Sequence, residues 1–241
     1  MTEEKLIDAN NEIDTNKDTD VVDRPNDEIL NKVMTAPVIY VREDGGCFLC
    51  PPSYKVYIHS EVISDGNFDI LKDPLFNVED DAKCCLFLSC STLKFISPSD
   101  NNTIHYNLTL PKCIESCCPE KCFSCPRYGP HCNGSYGATP DMKFGYYAQR
   151  YYLCSCCGTP TWEFFIKGES KFTVEMECFK AFIPCNQLCE LKFQIKNGAS
   201  ELGTIIRHPK GLCGTFTYQI QFPSEFTLEE RLLLIAFCCK R

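Results

Sequence analysis

Cysteine is the residue type with the most chemical reach in this chain, at 20 of 241 residues. The thiols fall in groups: Cys47 and Cys50; Cys84, Cys85 and Cys90; Cys113, Cys117, Cys118, Cys122, Cys125 and Cys132; Cys154, Cys156 and Cys157; Cys178, Cys185 and Cys189; Cys213; Cys238 and Cys239. Three chemistries use such groups, beside the plain alternative of buried, inert thiols. Thiolates bind zinc, and Cys47-x-x-Cys50 and Cys122-x-x-Cys125 have knuckle spacing. Disulfides suit an exported chain, and Asn101, Asn107 and Asn133 stand in N-x-S/T sequons. Thioester lipidation suits adjacent cysteines beside apolar residues in a protein with no spanning helix. The run from Cys113 to Cys132 offers six thiols for it, and stable anchoring needs two membrane signals.

Covalent catalysis has little to work with. The four histidines, His59, His105, His131 and His208, lie in no HExxH or nucleophile-elbow context. Cys117 and His131 are near in sequence, which does not make a catalytic pair. The chain therefore reads as a non-enzyme. Pro51-Pro52-Ser53-Tyr54 matches the PPxY ligand of WW domains, so Pro51, Pro52 and Tyr54 are candidate partner-binding residues. Tyr54 also opens an apparent strand.

Charge narrows the partners. The chain carries net −8, and residues 1–35 alone supply ten acids against four bases. That head is polar and poor in aromatics, so residues 1–36 read as a disordered acidic tail, with no apolar run of signal-peptide length. Residues 37–241 are nearly neutral and make the folded domain. A neutral body argues against nucleic acid, which demands a basic face, and against electrostatic docking on anionic lipid.

The elements that must position these groups are mostly strands. YKVYI (54–58), 93–96, TIHYNLTL (103–110), 144–152, TWEFFI (161–166), FTVEM (172–176), LKFQI (191–195), 202–206 and FTYQIQF (216–222) alternate or are rich in β-branched and aromatic residues. Asp65-Gly66, Lys167-Gly168 and Asn197-Gly198 are natural hairpin turns. A repeat is visible: Phe144-Gly145-Tyr146 leads to Cys157-Gly158-Thr159 and a strand, and Leu202-Gly203-Thr204 leads to Cys213-Gly214-Thr215 and a strand. Repeated hairpins suggest a closed sheet. Helical character is confined to the C-terminus, where 226–239 predicts one helix, capped by Thr227, with Glu229 and Glu230 in its first turn. It is apolar on most faces and too short to span a bilayer, so it reads as a buried helix with the interior of a barrel as its place, and a truncated or re-entrant membrane segment as the alternative.

The order of these features resembles the phospholipid scramblase family, whose fold is similar to the Tubby C-terminal domain. The resemblance runs from about Pro37 to Arg241. CCLFLSCSTLKF (84–95) resembles the family's cysteine-containing segment before a strand. PKCIESCCPEKCFSC (111–125) resembles its palmitoylation motif, and FGYYAQ (144–149) its Ile-Gly-x-Val-x-Gln strand. IPCNQLCELKFQI (183–195) follows the pattern of its GPC turn and next strand. Gly203–Ile206, His208–Gly211 and Ile220–Pro223 follow in the family's order before an apolar C-terminal helix.

The resemblance implies a mainly β fold: a closed, Tubby-like, 12-stranded antiparallel barrel around a hydrophobic C-terminal helix. It implies lipidation at Cys113, Cys117, Cys118, Cys122 and Cys125, and attachment to the cytoplasmic face of a membrane, the plasma membrane by analogy. The implied activity is ATP-independent, Ca²⁺-linked movement of membrane phospholipids between leaflets. The chain departs from the family at calcium. The segment before its Phe-Pro pair, GTFTYQIQ (214–221), has no carboxylate, and only Glu225 stands where the family is acidic. Ca²⁺ prefers six to eight oxygens. Two alternatives stay open: a lipidated, non-catalytic Tubby-like adaptor that uses its acidic head or PPxY, and a cysteine-rich zinc-binding domain.

Overall fold

The structure, a computed structural model, describes residues 27–44, 53–64, 66–80, 91–98, 103–108, 127–135, 143–151, 160–176, 189–210 and 215–239. The chain folds as a mainly β protein with a helix at each end of the strand series. Helix α1 (Asp27–Thr35) comes first. Among the described residues twelve strands follow: β1 (Val38–Asp44), β2 (Ser53–His59), β3 (Phe76–Asp80), β4 (Ser91–Ile96), β5 (Thr103–Leu108), β6 (Arg127–Ser135), β7 (Lys143–Tyr151), β8 (Thr161–Ile166), β9 (Glu169–Met176), β10 (Leu191–Asn197), β11 (Ser200–Lys210) and β12 (Thr215–Gln221). Helix α2 (Leu228–Cys239) closes the series. A 3₁₀ turn, Phe68–Ile70, lies between β2 and β3.

Every strand pairs antiparallel with its sequence neighbours, and β1 pairs with both β2 and β12, so the pairing returns to its start. The expectation of an antiparallel, mainly β domain with an apolar C-terminal helix is met. All nine expected strands are present. The sequence reading overlooked β1, β3 and β6. β6 contains Gly129, Pro130 and Cys132, and its register slips between Tyr128 and His131, where a proline costs no ladder bond.

Alternation on the strands builds the core. On β10, Leu191, Phe193 and Ile195 face inward while their neighbours are half-exposed. Ile39 and Val41, Val56, Val78, Leu93 and Phe95, Phe164, Val174 and Ile220 extend the same inner surface. Helix α2 occupies it. Residues 231–239 are all buried, so the helix has no solvent face. A 12-residue helix is marginal in water on its own, so enclosure supplies its stability. Burying Leu232, Leu233, Leu234, Ile235 and Phe237 amounts to roughly 7–15 kcal/mol in transfer terms. Phe237 is the hub: its ring lies 5.4 Å from Trp162, 5.5 Å from Tyr147, 5.8 Å from Phe164 and 6.1 Å from Phe193.

The helix begins with a capping box. The Thr227 N–H donates to the Glu230 carboxylate at 2.7 Å, and the Glu230 N–H donates to Thr227 Oγ1 at 3.4 Å. This is the expected cap, one residue before the helix.

The repeat glycines have a packing reason. A Cβ on Gly145 would lie 2.5 Å from the Phe165 carbonyl oxygen and 3.0 Å from Leu233 Cδ1; one on Gly203 would lie 2.7 Å from the Gln221 carbonyl oxygen. Both positions let neighbouring backbone approach closely. Of the expected hairpin turns, Lys167-Gly168 joins β8 to β9 with both residues at positive φ, the type I′ pattern. Gly198 has φ of +58° in the tight turn from β10 to β11. Gly66 belongs instead to the long β2–β3 connection, and Asp65 lies outside the described residues.

The tail boundary is corrected. Residues 27–36 are not part of a disordered tail: α1 buries Ile29, Leu30 and Val33, followed by Ala36, against the core of the domain. Their spacing puts three apolar side chains on one helical face, a pattern masked by the surrounding acids and asparagines.

Candidate functional site

The described residues hold three arrangements with chemical content. The first lies where α2 begins. Arg231 is only 4% exposed, yet it is a guanidinium. Its Nη1 donates to the carbonyl oxygens of Ala36 at 2.7 Å and Val33 at 3.1 Å; Nε reaches Phe226 O and Nη2 reaches Pro223 O, both at 3.4 Å. The Phe222 ring lies 4.8 Å below it. Val33 and Ala36 stand at the C-terminal end of α1, where helix carbonyls lack intrahelical partners and the dipole favours a cation. One side chain thus satisfies α1, the end of β12 and the start of α2. Burial pushes its pKa down from the ordinary arginine value.

The second lies on the outer face of β1, β12 and β11. The β2–β3 connection folds over it, with Phe68 5.7 Å from Tyr40 and 5.0 Å from His208. Tyr40 Oη accepts from the Ile63 N–H at 2.7 Å and lies 3.4 Å from Gln219 Oε1. His208 Nδ1 lies 3.2 Å from Glu190. Burial holds the His208 pKa below its ordinary value, against the opposing pull of Glu190. A small cleft of about 200 Å³ opens here beside Phe68, Asp69 and His208. Burial likewise raises the Tyr40 phenol.

The third pairs Glu163, 6% exposed, with Arg150 Nη2 at 2.8 Å and the Ser170 hydroxyl at 2.5 Å. It is a satisfied charge pair joining β7, β8 and β9, with the marks of structure rather than of a catalytic acid. Glu43, inside the sheet, accepts from the Phe216 N–H at 3.1 Å and faces Arg207; burial raises its pKa above the usual carboxylate range.

The expected site residues distribute as follows. Cys113, Cys117, Cys118, Cys122 and Cys125 lie outside the described residues, as do Pro51 and Pro52. Tyr54 is in β2, paired with Glu43 and Val78, and its ring is 7% exposed. A WW domain needs that ring free, so strand pairing and burial of Tyr54 count against the PPxY reading. Glu225 is exposed in the turn before α2 and accepts from Ser224 at 3.2 Å. The nearby Glu230 is engaged in the cap and Glu169 pairs with Lys171 at 2.7 Å. Among the described residues, no group of three or more His, Cys, Asp or Glu is placed to hold a metal ion. Cys238 and Cys239 are buried in the core, and Cys189 is half-buried. No helix among the described residues is long and apolar enough to cross a membrane.

The sequence reading missed Arg231, Tyr40 and Gln219. Arg231 carries a signal only in hindsight: a single cation set at the first turn of an otherwise apolar helix. Comparison with family models, with characterised proteins and with solved structures finds no match for this chain.

Proposed function

We propose that the protein is a phospholipid scramblase-like, membrane-associated protein with a closed Tubby-like barrel around α2. In this reading it is anchored by acylated cysteines at 113, 117, 118, 122 and 125 on the cytoplasmic face of a membrane, and it promotes or regulates ATP-independent redistribution of phospholipids. One observation carries it: an apolar helix, buried on every face, sealed within a ring-paired antiparallel sheet at the end of the chain. That arrangement supports the reading. Glu225 is the residue kept for calcium, with a zinc-binding, cysteine-rich domain as the alternative cofactor reading.

A second reading has its own support. Residues 231–239 are buried, so the packed state gives a lipid headgroup no polar path past α2. This favours a lipidated adaptor that acts without moving lipid itself. Reconstitution of the full chain in liposomes carrying fluorescent phospholipid separates the two readings. Transbilayer exchange supports the first; membrane binding without exchange, with and without Ca²⁺, supports the second. Release of acyl groups by hydroxylamine, lost in the Cys→Ser variant at the five positions, tests the anchor.

A further inference from the structure

A cleft of about 500 Å³ lies between α1 and the sheet. Its walls come from four places in the chain: Ile29 and Lys32 on α1, Ile58 near the end of β2, Asp73 and Leu75 on the approach to β3, and Pro98 just past β4. Ile29 is buried and Ile58 and Leu75 are half-buried, so the inner wall is apolar. Lys32, Asp73 and Pro98 are exposed, so both charges stand at the rim. Small-molecule sites have this make-up and volume, with a few polar groups on an apolar wall.

The two rim charges are available to a ligand. Lys32 sits 2.9 Å from Glu28 on its own helix, with side chains 55% and 72% exposed. So exposed a pair contributes little and leaves Lys32 free to turn. Asp73 has no ion pair among the described residues, and it does not pair with Lys32. Its φ is +54°, in the left-handed region that Asp and Asn tolerate better than other side chains.

We propose that this cleft binds a small apolar zwitterion, a short aliphatic peptide with free termini. Its side chains lie against Ile29, Ile58, Leu75 and Pro98, its ammonium meets Asp73 and its carboxylate meets Lys32. Charge and shape select this class together. A rim with one cation and one anion matches a ligand that carries both, whereas a lone anion or cation meets one charge of its own sign. A ligand without charges covers both rim groups and pairs neither. No aromatic ring lines the cleft among the described residues, so it offers no cage for a quaternary ammonium. A primary ammonium instead donates hydrogen bonds to a carboxylate. The ligand also bridges α1 to the sheet. At nine residues α1 is shorter than the roughly 12–15 that a free helix needs, so occupancy adds to its docking. This site is independent of the membrane reading and stands or falls without it.

The test is titration of the full chain with leucyl-leucine, followed by amide chemical shifts. Shifts are expected at Ile29–Lys32, Asp73 and Leu75. N-acetylation or C-terminal amidation of the peptide should each weaken binding about two- to fivefold, the range of an exposed ion pair. The variants then cross. Asp73→Asn, which tolerates the same φ, should abolish the penalty of N-acetylation and keep that of amidation; Lys32→Gln should do the reverse. Both positions are exposed, so neither change threatens the fold. Absence of shifts at these residues would overturn the site. A doubly capped peptide that binds as tightly as the free one would reduce it to an apolar groove and overturn the zwitterion. Penalties that ignore the variants would do the same. Tighter binding of glycerophosphoethanolamine than of leucyl-leucine would assign the cleft to a lipid headgroup and overturn the peptide.

Discussion

Replacing Arg231 with Met is the perturbation that best tests how α1 and α2 are joined. Methionine keeps helix propensity and most of the buried volume. It leaves the Ala36 and Val33 carbonyl oxygens, now bonded at 2.7 and 3.1 Å, without their donor. A hydrogen bond to a charged group contributes about 1.5–3 kcal/mol net, so two give about 3–6 kcal/mol. Relief from burying a guanidinium offsets part of that. The expected loss is therefore about 3 kcal/mol, with the two longer bonds at 3.4 Å adding little. Urea unfolding followed by Trp162 fluorescence reads it, because Trp162 is the chain's only tryptophan and packs 5.4 Å from Phe237. At a slope of about 2 kcal/mol per molar, the midpoint drops by about 1.5 M. Amide exchange at Ile29–Val33 should quicken more than exchange in β10, since α1 loses its cap first. Arg231→Lys, with one point donor in place of a fork, should fall between the two. A midpoint that moves by less than the equivalent of about 0.5 kcal/mol in the Met variant would refute the clamp.

Other outcomes follow from the same packing. Phe237→Ala removes the ring shared by four aromatic neighbours and should cost about 3–5 kcal/mol with a shift in Trp162 emission; an unchanged spectrum and melting curve would contradict the enclosed helix. Gly145→Ala should cost about 1–3 kcal/mol because its Cβ meets a backbone oxygen at 2.5 Å, whereas Gly66→Ala, in open space at φ +70°, should cost about 1 kcal/mol from strain alone; equal thermal shifts would break that distinction. His208 has a pKa held below its ordinary 6.5, so the unfolded chain takes up protons first as pH falls. The His208 contribution to stability is present above pH 6.5 and lost as pH drops through and below it. Urea midpoints across that range should fall for the native chain and fall less for His208→Gln; parallel curves would exclude His208 as the source.

Much of the strand pattern was legible because buried and more exposed residues alternate on β9 and β10. The exceptions are instructive. β1 reads VIYV, an unbroken apolar run, because it is buried on both faces: Ile39 and Val41 face α2's side, while Val38 and Tyr40 lie under the β2–β3 connection with Phe68 and Ile63. Period-two reasoning has nothing to detect there. α1 was hidden by composition, since its Asp, Glu and Asn belong to a head that is acidic throughout. Arg231 was unreadable for a different reason. Its closest partners are backbone carbonyls some 195 residues away, and no side-chain pattern records them. Tyr54 misled in the opposite direction: a four-residue motif pointed outward, while strand pairing with Glu43 turned the ring inward.

The central claim is that this chain handles phospholipid at a membrane surface. The most direct measurement is dithionite reduction of a fluorescent phospholipid in liposomes reconstituted with the full chain, with and without Ca²⁺. The account predicts that dithionite reduces label from both leaflets, at a rate that grows with protein per vesicle. Reduction confined to the outer leaflet at every protein level, in both conditions, would contradict it.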